Sequence, residues 1–148
     1  MMDDLRRLVQ YLRLSAGAAQ RRLGVSGAQL FVLQQLRRAP ASSVDELAAR
    51  TLTDQSSVSV VVTRLHARKL VARRRSPDDG RRVEILLTAR GRALLERAPR
   101  PAQEKLLAGL SRMTPAELSR VAASLRLLVT KSGIAGKPPS LFFEREHG

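Results

Sequence analysis

Leu70-Val71-Ala72-Arg73-Arg74-Arg75-Ser76-Pro77-Asp78-Asp79-Gly80-Arg81-Arg82-Val83-Glu84-Ile85-Leu86-Leu87-Thr88 is the stretch that decides the fold of this 148-residue chain. Val83, Ile85 and Leu87 alternate with Arg82, Glu84 and Leu86, the period of a half-buried strand. The Pro-Asp-Asp-Gly cluster at 77–80 separates this run from the apolar step Leu70-Val71 and reads as a hairpin loop. Five arginines, Arg73, Arg74, Arg75, Arg81 and Arg82, sit on the two arms and the loop exit. Core packing does not call for them, because arginine avoids burial. A polyanion facing the hairpin does.

Residues 54–68, just upstream, carry a helical period, with Thr53 read as the N-cap. At 100° per residue, Val58, Val61, Val62 and Leu65 fall in one narrow arc that must face a core. The opposite arc holds Ser56, Val60, Thr63 and Ala67, flanked by Ser57 and Arg64. A solvated helix face ordinarily carries Glu, Lys and Gln, which are good helix formers. A small, uncharged face can instead approach another surface closely, and the floor of a DNA major groove is such a surface. A helix of this kind followed by a basic hairpin is a winged helix-turn-helix. The fold class is mainly α with a two-stranded β wing.

The remaining elements follow from caps and breaks. Residues 3–22 keep helical spacing through Leu5, Leu8, Val9, Leu12, Ala16 and Ala19, and Gly24 interrupts them. Ser26 and Gln29 form a capping box for a helix to about Arg38 that buries Leu30, Leu33 and Leu36. Ser43-Val44-Asp45-Glu46 reads as a second box, opening a short helix to Arg50. A long helix is expected from Thr88, bent or broken by Pro99 and Pro101. Thr114-Pro115-Ala116-Glu117 starts the last helix, which reaches about Lys131 with Leu118, Val121, Ala122, Leu125, Leu128 and Val129 apolar. The prolines of Lys137-Pro138-Pro139-Ser140-Leu141-Phe142-Phe143 make an extended tail.

The formal net charge is +14, from 27 Lys plus Arg against 13 Asp plus Glu. Ten basic residues fall between Arg64 and Arg92, against Asp78, Asp79 and Glu84, so the excess is concentrated on the reading segment. The absence of cysteine excludes disulfides, thiolate metal sites and thiol redox sensing. His66 and His147 have no partner at metal-ligand spacing, no nucleophile elbow surrounds a serine, and neither an enzyme nor a cofactor is expected. One Tyr, three Phe and no Trp give no aromatic platform for single strands. No apolar run is long enough for a membrane and the first residues lack a signal-peptide core, so a cytoplasmic protein is expected.

The order and spacing of several short motifs resemble the MarR-type winged-helix regulators. These are Ser26-Gly27-Ala28-Gln29-Leu30, Asp45-Glu46-Leu47-Ala48, Arg64-Leu65 before Leu70-Val71, Asp79-Gly80-Arg81, and Leu87-Thr88-Ala89-Arg90-Gly91. Lys69 stands where that family usually has glycine. The resemblance implies a homodimer on a pseudo-palindromic operator, with flanking helical segments as the dimerisation region. It places Arg81 as the minor-groove residue of the wing, with Asp79 holding its guanidinium or bracing the wing backbone. It also implies release by a small anionic or aromatic effector, in a cleft lined by Tyr11, Leu12, Arg13 and Phe31.

The expected function is that of a sequence-specific regulator of double-stranded DNA, a repressor. Residues 26–97 form the reading region, and 1–25 with 98–148 the dimerisation region. Base and backbone contacts are expected from Gln55, Ser56, Ser57, Ser59, Val60, Thr63 and Arg64 on the helix. Phosphate contacts are expected from Arg73, Arg74, Arg75 and Arg82, and from Ser42 and Ser43, which also cap a helix. Leu5, Leu8, Leu12, Leu125, Leu128, Phe142 and Phe143 are the expected dimer interface. A non-specific architectural DNA-binding protein and a winged-helix protein-interaction module are the alternatives.

Overall fold

The computed structural model describes residues 1–77, 79–80, 82–98, 102–136 and 141. Along the chain run α1 (Met2–Leu23), α2 (Gly27–Arg38), α3 (Val44–Thr51), α4 (Gln55–Ala67), β1 (Val71–Arg75), β2 (Val83–Leu87), α5 (Ala89–Glu96), α6 (Ala102–Leu110) and α7 (Pro115–Lys131). The fold is mainly helical with one two-stranded antiparallel sheet.

The centre is α2, on which α1, α3, α4, α5, α6 and β2 all pack. Its capping box forms as expected. Gln29 N–H donates to Ser26 Oγ at 3.1 Å, and Ser26 N–H donates to Gln29 Oε1 at 3.2 Å. Every residue from Gly27 to Leu36 is buried, including Gln29, Gln34 and Gln35, so the helix is enclosed on all sides and not on one stripe. Phe31, Leu30 and Leu33 meet Leu47, Val58, Val61, Leu65, Ile85 and Leu95 in one core, which Leu141 also joins.

The hairpin pairs Val71 with Leu87, Arg73 with Ile85 and Arg75 with Val83. On its other edge, β2 meets the loop before α3, where Ala41 and Ile85 exchange both backbone hydrogen bonds, at 2.9 and 2.7 Å. Ile85 and Leu87 are buried. Val83, expected on the same inward face, is exposed because the hairpin has by then run past the core.

The expected long helix from Thr88 is two helices. α5 stops at Glu96 and α6 begins at Ala102, while Pro99 and Pro101 lie outside the described residues. α6 packs on α1 and α2. Arg38 reaches Glu104 at 3.3 Å, and the Lys105 ammonium lies 5.2 Å from the centre of the Tyr11 ring. α7 starts at the expected box, with Thr114 N–H donating to Glu117 Oε2 at 2.8 Å and Pro115 at the first position. No residue of α7 is buried.

Lys69 has φ of 57°, in the left-handed region. That conformation suits glycine, which has no Cβ to collide with the following carbonyl. The turn from α4 into β1 requires it here whichever residue occupies the position.

Candidate nucleic-acid interface

The helix-turn-helix is held at both of its caps by carboxylates. Ser43 Oγ accepts from Glu46 N–H at 3.0 Å, as expected of an N-cap. The Glu46 carboxylate does not close the box on Ser43. It accepts from Ser42 N–H at 2.7 Å and Ser42 Oγ–H at 2.6 Å, and from the Arg50 guanidinium. Arg50 in turn donates to the carbonyls of Ala39 and Pro40, each at 2.8 Å, fixing the loop that precedes α3. Ser42 and Ser43 are therefore engaged within the motif itself.

The N-cap of α4 is Asp54, not Thr53. Its carboxylate accepts from Ser57 N–H at 2.9 Å, from Ser57 Oγ–H at 2.7 Å and from the Ser56 hydroxyl. Both serine protons are turned back into the cap, leaving only oxygen lone pairs for an outside donor. These hydrogen bonds, Ser56 first and Ser57 next, hold the Asp54 carboxyl at a pKa of about 2 against an ordinary 3.8. The bonds from Ser42 and then Arg50 hold Glu46 at about 2 against 4.5.

Both folded-state pKa values are depressed. Their stabilisation is thus complete above the unfolded values and is lost as pH falls from about 4.5 toward 2. The melting temperature should drop through that window, and less steeply in the Glu46→Gln, Asp54→Asn double variant. Identical acid profiles for the two proteins would contradict this.

From this cap, α4 turns Val58, Val61, Val62 and Leu65 fully into the core, as the period requires. Gln55, Ser56, Val60, Thr63 and Ala67 are exposed, and Ser59 and Arg64 are half-buried. Val60, mid-face, is 45% exposed. The residue that closes the helix, Arg68, was not anticipated. Its guanidinium donates to Gly24 O at 2.8 Å, 44 residues back.

β1 follows α4 after the turn of residues 68–70. Arg73, Arg74, Arg75 and Arg82 are exposed. Strand alternation puts Arg73 and Arg75 on one face and Arg74 on the other, where it pairs with Glu84 at 3.0 Å. Arg74 is thus partly neutralised, whereas a phosphate partner was expected. Asp79 has Arg82 at 3.5 Å. Arg81 lies outside the described residues.

The other expected sites are not assembled as the sequence suggested. Phe31 is a core residue at 1% exposure. Leu12 is buried within the subunit, Arg13 is exposed, and Tyr11 lies under Lys105. Consecutive helix positions point 100° apart, so Tyr11, Leu12 and Arg13 cannot share one wall. Burial also removes Leu12 from any free face. Leu5, Leu8, Leu125 and Leu128 are exposed, and Phe142 and Phe143 lie outside the described residues.

Comparison with known proteins agrees with this geometry. Residues 23–82, from the end of α1 to the wing, match the MarR family model. The HTH-type transcriptional repressor Rv2887 of Mycobacterium tuberculosis is 33% identical over 124 residues, covering 82% of this chain and 89% of that protein. The chain belongs to the MarR family.

Among solved MarR-like structures, BpsR of Bordetella bronchiseptica is 32% identical with a TM-score of 0.55, over 84% of this chain and 94% of that one. It was described in a study of how 6-hydroxynicotinic acid regulates its DNA binding. A MarR family regulator of Streptomyces coelicolor, solved in complex with DNA, superposes with a TM-score of 0.60 over 95% of this chain and 92% of that one. At 21% identity this second likeness speaks for the fold alone. As a MarR protein, the chain is a DNA-binding transcriptional regulator and not an enzyme. Among the described residues, no helix is long and apolar enough to cross a membrane.

Proposed function

We propose that this MarR protein is a repressor that binds a pseudo-palindromic operator as a homodimer. α4 enters the major groove, and the hairpin follows the backbone into the adjacent minor groove, for which Arg81 is the expected contact. Residues 1–25 and 98–148 form the dimerisation region, and 26–97 the reading region.

The observation that carries the dimer is α7. It is a well-capped helix of 17 residues with Leu118, Leu125, Leu128 and Val129 exposed, and none of its residues is fully buried in its own subunit. Exposed apolar surface of this extent marks an association face. Leu5 and Leu8 of α1 add to the exposed apolar surface of the same region. A two-fold axis through these helices would place two reading heads about 34 Å apart, one turn of DNA.

Light scattering should give a dimer for the chain and a folded monomer for the Leu125→Glu, Leu128→Glu variant, with operator binding lost in the variant. A monomeric wild type at working concentration would overturn the proposal. Effector control is supported by the relative BpsR, whose DNA binding 6-hydroxynicotinic acid regulates. It is tested by titrating anionic aromatic acids against the operator complex.

Readout by α4 rests on apolar and neutral contacts, because the middle of its exposed face carries Val60 between Ser56 and Thr63. A thymine methyl is the apolar feature that a major groove offers. Replacing the contacted thymine by uracil should weaken wild-type binding about four-fold, the effect of one methyl withdrawn from an apolar contact. The same replacement should leave Val60→Ala binding nearly unchanged. Equal loss in both proteins would exclude the contact.

A further inference from the structure

Arg68 joins two parts of the molecule that the proposed function requires to be held in fixed relation. It caps α4 with φ of −85°, and its own N–H donates to Arg64 O and His66 O. Its guanidinium leaves the helix and donates to Gly24 O at 2.8 Å, with a longer contact to Gln29 Oε1 at 3.4 Å. Gly24 is the left-handed cap that ends α1, at φ 65°. Gln29 is the glutamine of the α2 capping box and accepts from Ser26 N–H.

One planar cation therefore engages the carbonyl of the residue that caps α1 and the box that starts α2, from the base of the reading helix. Its position is electrostatically favourable. The C-terminal end of α1 carries partial negative charge, and the guanidinium donates to the carbonyl there. Both contacts come from one nitrogen of a planar group whose N–H directions are fixed, whereas the three donors of an ammonium rotate freely.

Arg68 is half-buried, so the contact is not what holds the core together. Val58, Val61, Val62 and Leu65 do that for α4. What the contact constrains is direction. The corner at Gly24 is where α1, with its exposed Leu5 and Leu8, turns into the reading region. A small rotation about a glycine corner, carried along α1's 22 residues at about 1.5 Å each, moves the far end of that helix by several times the displacement at the corner. In a dimer built on α1 and α7, that rotation changes the separation of the two reading helices.

We infer that Arg68 is a positioning residue for operator recognition: by clamping the α1–α2 corner to the end of α4, it sets the half-site spacing the dimer accepts. This rests on the proposed dimeric reading of two half-sites. Bringing the second half-site into register makes its binding intramolecular, so loosened geometry costs affinity on the full site and not on a half-site.

The test measures Arg68→Ala, Arg68→Lys and wild type on an isolated half-site and on operators whose half-sites are moved apart or together by one and two base pairs. Salt slopes and melting temperatures are recorded beside them. Wild type should show one optimal spacing. Arg68→Ala should match wild type on the half-site, lose about tenfold at the optimum and discriminate less between spacings. It should keep the wild-type salt slope, and Arg68→Lys should recover part of the spacing preference.

An unaltered spacing profile in Arg68→Ala, with wild type showing an optimum, would overturn the inference and leave the dimeric reading standing. So would an equal loss on half-site and full site, or a salt slope reduced by about one, which would make Arg68 a phosphate contact. A wild type with no preferred spacing would overturn the dimeric reading and the inference with it.

Discussion

Gly91→Ala should lower the melting temperature by about 10 °C and abolish DNA binding. A Cβ at Gly91 would stand 2.2 Å from Leu70 O and 3.1 Å from Leu87 Cδ2. The first of these atoms is backbone and cannot rotate away. It is also already engaged, since Leu70 O accepts from Thr88 N–H at 3.2 Å and from the Thr88 hydroxyl at 3.2 Å. That hydroxyl's one proton is shared with Lys69 O at 2.8 Å, and its oxygen accepts from Gly91 N–H at 3.0 Å, capping α5.

Making room for one methyl means withdrawing α5 from the start of β1, which breaks the cap and displaces the wing together. Overpacking of this kind costs about 3 kcal/mol, and a domain of this size loses roughly 3 °C per kcal/mol. Gly109 in α6, with nothing within 4 Å of its Cβ position, provides the control. Gly109→Ala should be neutral or stabilising, by up to about 1 kcal/mol. Equal melting temperatures for Gly91→Ala and wild type, read by circular dichroism, would remove the packing role.

The second large effect is electrostatic. Wild-type affinity for its operator should fall by about 10³–10⁵ between 50 and 200 mM salt, the range for six to ten phosphate contacts. The face of the wing bearing Arg73 and Arg75 should carry part of this, so Arg73→Ala, Arg75→Ala together should reduce the salt slope by about two. Arg74→Ala should change it far less, because Glu84 at 3.0 Å already compensates that charge. Arg81→Ala should weaken binding most on sites with A·T-rich flanks, where the narrow minor groove concentrates negative potential. Filter binding over a salt series measures all four proteins. A slope that is the same for the double variant and wild type would take the wing out of the interface.

The parts of this fold legible in the sequence are those set by neighbours within a few residues. The Ser26–Gln29 and Thr114–Glu117 boxes formed because their partners are three residues apart. The buried arc of α4 followed from its period. The cap of α4 was misplaced because Thr53 and Asp54 are both competent caps, and only the three-dimensional turn selects Asp54. Glu46 had two donors within reach, and the preceding loop gave it Ser42.

The cleft position of Phe31 follows from the family resemblance alone, whereas in the fold six elements enclose α2 and bury Phe31 together with Gln29, Gln34 and Gln35. The roles of Gly91 and Arg68 depend on contacts 21 and 44 residues away in sequence. No local pattern announces those contacts. A glycine in a Leu-Thr-x-x-Gly string can be noted in the sequence, but its reason is the carbonyl of Leu70.

Sequence-specific reading by α4 and the wing is measured as a ratio of affinities. Fragments of the source genome bound by the protein are selected, and the affinity of the recovered site is compared with that of random duplex at the same salt. A ratio of about 10³–10⁷ is expected. That ratio should fall by about tenfold or more when the exposed face of α4 is changed by Val60→Ala with Thr63→Ala, while affinity for random duplex stays the same. A ratio near one, with strong salt-dependent binding to any duplex, would contradict it and make the chain a non-specific DNA-binding protein.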